Sequence, residues 1–96
     1  MKIAVIGKGK TGQSVIDLLS RKEVVEVFDS QNVVTVEKLN KADVAIVFVN
    51  AKVLGSILPV LLQSKVAIVC GTTGFKYDAD FIQKVQMRQQ TWVVAN

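Results

Sequence analysis

Four runs of successive apolar residues constrain this chain more than any other feature: Ile3-Ala-Val-Ile6, Val24-Val-Glu-Val-Phe28, Val44-Ala-Ile-Val-Phe-Val49 and Val66-Ala-Ile-Val-Cys70. A strand with one wet face alternates apolar and polar residues, whereas successive β-branched residues need cover on both faces, as in a parallel sheet. A fifth run, Thr91-Trp-Val-Val94, reads as a last strand, and Val33 to Val36 as a short edge strand.

Helical spacing fills the gaps. After Gly12, the positions Val15, Ile16, Leu18 and Leu19 fit about two turns of amphipathic helix. Val53, Leu54, Ile57, Leu58, Leu61 and Leu62 form a second pattern, with Gly55 and Pro59 inside it. Those two residues predict a helix that is shortened, kinked or irregular at its start. Phe81, Ile82 and Val85 mark a third helix, with Asp78 as its N-cap. Strands alternating with helices predict one doubly wound α/β domain of the Rossmann type over residues 1–96.

Composition removes several function classes. The chain has no histidine and one cysteine, Cys70, so neither an internal disulfide nor a zinc cluster of Cys and His is available. Cys70 sits in an apolar run and reads as a buried structural thiol. The net charge is +4, but the lysines are scattered and form no basic stripe interleaved with aromatics. Nucleic acid is therefore not an expected partner. The run Ile3–Ile6 is too short for a secretory h-region, and nothing approaches the roughly 20 apolar residues of a membrane span. A cytoplasmic location without membrane contact is expected.

The first strand runs into Gly7-Lys-Gly-Lys-Thr-Gly12, a Gly-x-Gly-x-x-Gly at a strand-to-helix junction. In that setting Gly7 serves the tight turn, Gly9 lets the backbone approach a pyrophosphate, and Gly12 allows close helix–strand packing. The helix N-terminus adds N–H donors and partial positive charge. Asp29 ends the second strand 22 residues beyond Gly7. An acid at that offset accepts hydrogen bonds from the adenosine ribose, which favours NADH. Asp29-Ser-Gln-Asn is equally turn chemistry. Lys8 and Lys10 in the glycine loop can reach a 2′-phosphate, so NADPH stays open as the cofactor.

The stretch Gly71-Thr-Thr-Gly-Phe75 at the end of the fourth run resembles the Gly-Thr-Thr-Gly signature of 4-hydroxy-tetrahydrodipicolinate (dihydrodipicolinate) reductases. The opening is similar to that family's Gly-Tyr-Gly-Lys-Met-Gly, with Lys8 for the Tyr and Thr11 for the Met. Ala42-Asp-Val-Ala-Ile-Val-Phe-Val49 resembles its strand ending in Asp/Glu-Phe-Thr, and Trp92-Val-Val-Ala-Asn96 the strand leading to its interdomain junction. The departures are Val47 for an acid, Val49 for Thr or Ser, and a missing Pro after Ala95. The resemblance covers the cofactor domain only. It implies NADH or NADPH held by Gly7, Lys8, Gly9, Lys10, Thr11, Gly12 and Asp29, with the nicotinamide near Phe48, Gly71, Thr72 and Thr73. It also implies hydride transfer to a cyclic dicarboxylate in lysine and diaminopimelate biosynthesis.

The family's His-His and Lys motif lies in a second domain that these residues do not contain, so no catalytic residue carries over. Cofactor binding without turnover is the expectation, with oligomer contacts made through that second domain. A small Rossmann-type nucleotide-sensing module is the alternative reading.

Overall fold

The computed structural model describes residues 1–7, 23–29, 31–71 and 75–94. Within them lie five parallel strands: β1 (Ile3–Ile6), β2 (Val24–Phe28), β3 (Val44–Val47), β4 (Ala67–Cys70) and β5 (Trp92–Val94). Their order across the sheet is β2-β1-β3-β4-β5. The chain passes from β1 outward to β2, then crosses back to place β3 on the other side of β1. That reversal makes the β1/β3 boundary the topological switch point, where open α/β sheets of this order bind their ligands. The architecture is a Rossmann-type doubly wound α/β domain.

Burial is complete in the first apolar run and partial at the edge, where Phe28 is the one buried residue of β2. All four residues of β1, the strand flanked by β2 and β3, are buried. Phe28, Ala45, Val47, Ile68 and Cys70 continue that core along the neighbouring strands, and Leu39, Leu54 and Leu61 close it from the helices. Cys70 is a fully buried free thiol. The pairing of β1 with β2 shifts register between Ile3 and Ala4, leaving Val25 without a partner residue on β1.

Three described helices connect the strands: α1 (Val36–Leu39), α2 (Ala51–Gln63) and α3 (Ala79–Met87). Val33 to Val36 is not an edge strand. Thr35 is extended and its Oγ1 accepts the Lys38 N–H at 3.2 Å, so the segment caps α1 and Leu39 is pulled into the core. Helix α2 is also not shortened. Asn50 Oδ1 accepts the Val53 N–H at 2.8 Å, and Leu54 and Leu61 bury completely. The helix therefore runs unbroken across Gly55 and Pro59, both on its exposed side, because capping and burial outweigh two weak helix formers. Asp78 caps α3 as its sequence predicts, its Oδ1 accepting the Phe81 N–H at 2.8 Å. The helix expected after Gly12 lies outside the described residues.

A row of aromatic rings seats α3 and the segment before it. Phe75, Tyr77, Phe81 and Trp92 contact one another in sequence, with centroid separations of 4.9, 5.1 and 4.9 Å. At the amino ends of the strands, Gln90 works as a buckle. Its Nε2 donates to the carbonyls of Leu61 at 2.9 Å and Val66 at 3.0 Å, while its Oε1 accepts the Trp92 indole N–H at 2.9 Å. One side chain thereby ties α2, β4 and β5 together.

Candidate functional site

Of the residues singled out from sequence, Gly7, Asp29, Phe48 and Gly71 are described. Lys8, Gly9, Lys10, Thr11, Gly12, Thr72 and Thr73 lie outside the described residues. The four described residues share one position: each directly follows the last residue of its strand, on β1, β2, β3 and β4 respectively. Ladder bonds fix them side by side. Gly7 N donates to Phe28 O at 2.9 Å, Phe48 N to Ile6 O at 2.8 Å, and Gly71 N to Val47 O at 2.9 Å. The carboxyl rim of the sheet therefore reads Asp29, Gly7, Phe48, Gly71 in space. Three strand spacings separate the ends of this row, roughly 14 Å.

Gly7 has two reasons to be glycine. Its φ is +104°, in the region L side chains avoid, and a Cβ would overlap the Phe48 carbonyl oxygen and stand 2.8 Å from its carbon. The backbone of β1 thus leaves its strand pressed against the end of β3, with no side chain over the rim. Gly71 has a different reason. The backbone-angle argument does not apply, since Gly7 is the one described glycine with positive φ. At Gly71 the constraint is the Phe48 ring, whose Cε1 and Cδ1 lie 2.5 and 2.8 Å from where a Cβ would sit.

Asp29 serves a turn while standing on the rim. Its Oδ1 accepts the N–H groups of Gln31 at 2.8 Å and Asn32 at 3.0 Å, and reciprocal main-chain bonds between Asp29 and Asn32 close the loop. The other carboxylate oxygen accepts no hydrogen bond from a described residue, so turn chemistry and ligand binding are compatible in one side chain. Asn32 braces the loop. Its Nδ2 donates to Val27 O at 2.7 Å and Glu26 Oε1 at 2.8 Å, and its Oδ1 accepts from Lys38 Nζ at 2.7 Å.

A cavity of about 550 Å³ opens at this rim, lined among the described residues by Gly7, Asp29, Val33, Val34, Val49, Asn50, Val53 and Ile57 over a floor of Ile6 and Phe28. Its size lies within the range of small-molecule sites, and apolar walls with a few polar groups are their usual chemistry. A cavity of about 530 Å³ lies at the other end of the sheet, bordered by Asp43, Lys65, Arg88 and Gln90. That end is remote from the switch point. Sequence reasoning missed Asn32, Asn50 and the valine walls. Asn50 was findable as an N-cap before an apolar helical pattern; Asn32 bonds groups only five or six residues away, but no sequence pattern distinguishes its amide from that of any other turn asparagine.

The two valines that depart from the resemblance have clear places. Val47 is fully buried between Ile6 and Cys70, and Val49 borders the cavity, its Cγ1 3.3 Å from where a Gly7 Cβ would sit. Among the described residues no cluster of three metal-ligating side chains occurs, and no helix is long and apolar enough to cross a membrane.

The family described as "Dihydrodipicolinate reductase, N-terminus" matches residues 1–96. The chain belongs to that family. It is accordingly a Rossmann-type NAD(P)-binding domain of an oxidoreductase family. Solved structures share the fold at low identity. Aspartate semialdehyde dehydrogenase II of Vibrio cholerae, in complex with ASA, is 16% identical with a TM-score of 0.62, covering 99% of this chain and 41% of its own. A second structure of that enzyme has a TM-score of 0.60 at 16% identity, over 96% and 37% of the two chains. Shikimate dehydrogenase of Mycobacterium tuberculosis is 14% identical with a TM-score of 0.56, covering 97% of this chain and 36% of its own. The chain thus spans about two fifths of the length of the dehydrogenases it resembles.

Proposed function

We propose that this chain holds NADH or NADPH across its carboxyl rim, and that the reductase it belongs to transfers hydride to a cyclic dicarboxylate. The observation that carries the reading is the row Asp29, Gly7, Phe48, Gly71, set in that order by the sheet. A dinucleotide laid along it places its adenosine ribose at Asp29, its pyrophosphate over Gly7 and its nicotinamide beside Phe48 and Gly71. The fit rests on Gly7, where a Cβ would fill the space between β1 and β3, and on the apolar cavity beside it.

Bound NAD(P)H would supply the hydride; the protein supplies position and electrostatics. Asp29 accepts the ribose hydroxyls with the oxygen not used in its turn. Val33, Val34, Val53 and Ile57 give the adenosine end an apolar wall. Gly7 lets the pyrophosphate approach the backbone, together with Gly9, Gly12 and the lysines Lys8 and Lys10. The Phe48 ring and Gly71 set one side of the nicotinamide position, and Thr72 and Thr73 follow Gly71 in the sequence as further candidate contacts.

The chain has no histidine, so imidazole cannot deliver a proton to the substrate from these residues. We assign them cofactor binding rather than turnover, as the dinucleotide-binding domain of a protein whose substrate-binding and oligomer contacts are made elsewhere. Titration calorimetry with NADH and NADPH tests the reading. Saturable binding at millimolar cofactor or below is expected. No binding of either cofactor at millimolar concentration would overturn it.

A further inference from the structure

We propose that Asn32 is a positioning residue that sets the discrimination between NADH and NADPH. The proposal rests on Asp29 being the ribose residue, as inferred above. Asn32 acts on the turn that holds that carboxylate and on the ammonium of Lys38. Its backbone N–H donates to Asp29 Oδ1 at 3.0 Å, while its side-chain amide anchors the same turn to β2 through Val27 O and Glu26 Oε1. The remaining polar atom of that amide, Oδ1, takes the Lys38 ammonium at 2.7 Å. The bond to Val27 O draws the amide back along β2, two residues before Asp29. The Lys38 ammonium is thereby tethered to an amide that is itself bonded to β2.

Both consequences favour a free 2′-hydroxyl. A carboxylate held in one place accepts from a ribose diol and repels a 2′-phosphate at the same position. A tethered ammonium is not at hand to neutralise that phosphate. Removing the Asn32 side chain loosens the turn, which weakens NADH, and releases Lys38, which strengthens NADPH. The two effects act in the same direction on the ratio of affinities, and that ratio does not depend on the fraction of protein folded.

The test measures Kd for NADH and NADPH by nicotinamide fluorescence in the native protein, Asn32→Ala, Asn32→Ala/Lys38→Met and Asp29→Ala. In Asn32→Ala the preference for NADH over NADPH should fall about tenfold, the scale of one hydrogen bond to a charged group. Adding Lys38→Met should withdraw the NADPH gain and leave the NADH loss. Equal weakening of both cofactors in Asn32→Ala would mean a purely structural role and overturn the proposal, as would an unchanged ratio. If Asp29→Ala leaves NADH affinity untouched, the ribose reading fails and this proposal falls with it. If Asp29→Ala weakens NADH while Asn32→Ala keeps the native ratio, only the role of Asn32 fails.

Discussion

The Phe48 ring lies over Gly71 so closely that a methyl group at residue 71 would stand 2.5 Å from Cε1 and 2.8 Å from Cδ1. Two rim residues, one from β3 and one from β4, therefore constrain each other through a side chain that can turn. Gly71→Ala should force the half-buried ring aside and cost about 1–2 kcal/mol, the usual scale of local overpacking. In a Phe48→Ala background the same change should cost about 1 kcal/mol less, since residues in contact are not additive. Urea denaturation of the two single variants and the double variant measures the coupling.

Gly7 and Gly55 should respond to alanine with opposite signs. Gly7→Ala combines a φ of +104° with overlap of the Phe48 backbone, which cannot swing away, and should cost about 2–4 kcal/mol. Gly55 lies exposed inside α2, where, among the described residues, a Cβ would meet only Phe75 Cε2 at 3.7 Å. Gly55→Ala should stabilise by about 0.5–1 kcal/mol through helix propensity. Denaturation midpoints moving in opposite directions are the expected result.

Gln90→Ala should destabilise by about 1–3 kcal/mol, because it strips donors from the Leu61 and Val66 carbonyls and the acceptor from the Trp92 indole. All these contacts lie at the amino ends of the strands. Thermal melting should therefore drop while NADH affinity of the folded protein stays native.

Tyr77 makes stability sensitive to alkaline pH. Burial, then the hydrogen bond to Cys70 Sγ at 3.4 Å and the charge that thiol can carry, push the phenol above its ordinary value near 10. The folded state then keeps a proton that the unfolded chain releases. The contribution is fully present below the unfolded value and is lost as pH rises through the folded one. Stability should decline above roughly pH 10, and Tyr77→Phe should flatten that decline. Tyr77 is the only tyrosine, so tyrosinate absorbance follows this group alone and should appear later in the folded protein than in urea.

Much of the fold is legible in residues that act locally. The apolar runs of β1, β2, β3 and β4 announce strands because their burial needs no partner identity. Asp78 caps α3 because an N-cap acts on its own next turn. Where distant packing decides, local reading fails. Val33 to Val36 has strand composition, yet the Thr35 cap and the burial of Leu39 make it the entry to α1. Gly55 and Pro59 look like breaks in α2, yet Leu54 and Leu61 hold the helix through them. The site divides in the same way. The glycine at residue 7 and the acid at residue 29 follow from motif spacing, but the Phe48 ring over Gly71 exists only once β3 and β4 stand side by side, and the Asn32 brace only once the chain turns back on β2 after Asp29.

Amide NMR mapping of NADH binding tests the central claim most directly. The rim reading predicts that NADH shifts the amides of Gly7, Asp29, Phe48, Asn50 and Gly71, and leaves those of Asp43, Lys65 and Gln90 at the opposite end unchanged. Shifts confined to Asp43, Lys65 and Gln90, or none at saturating NADH, would contradict it.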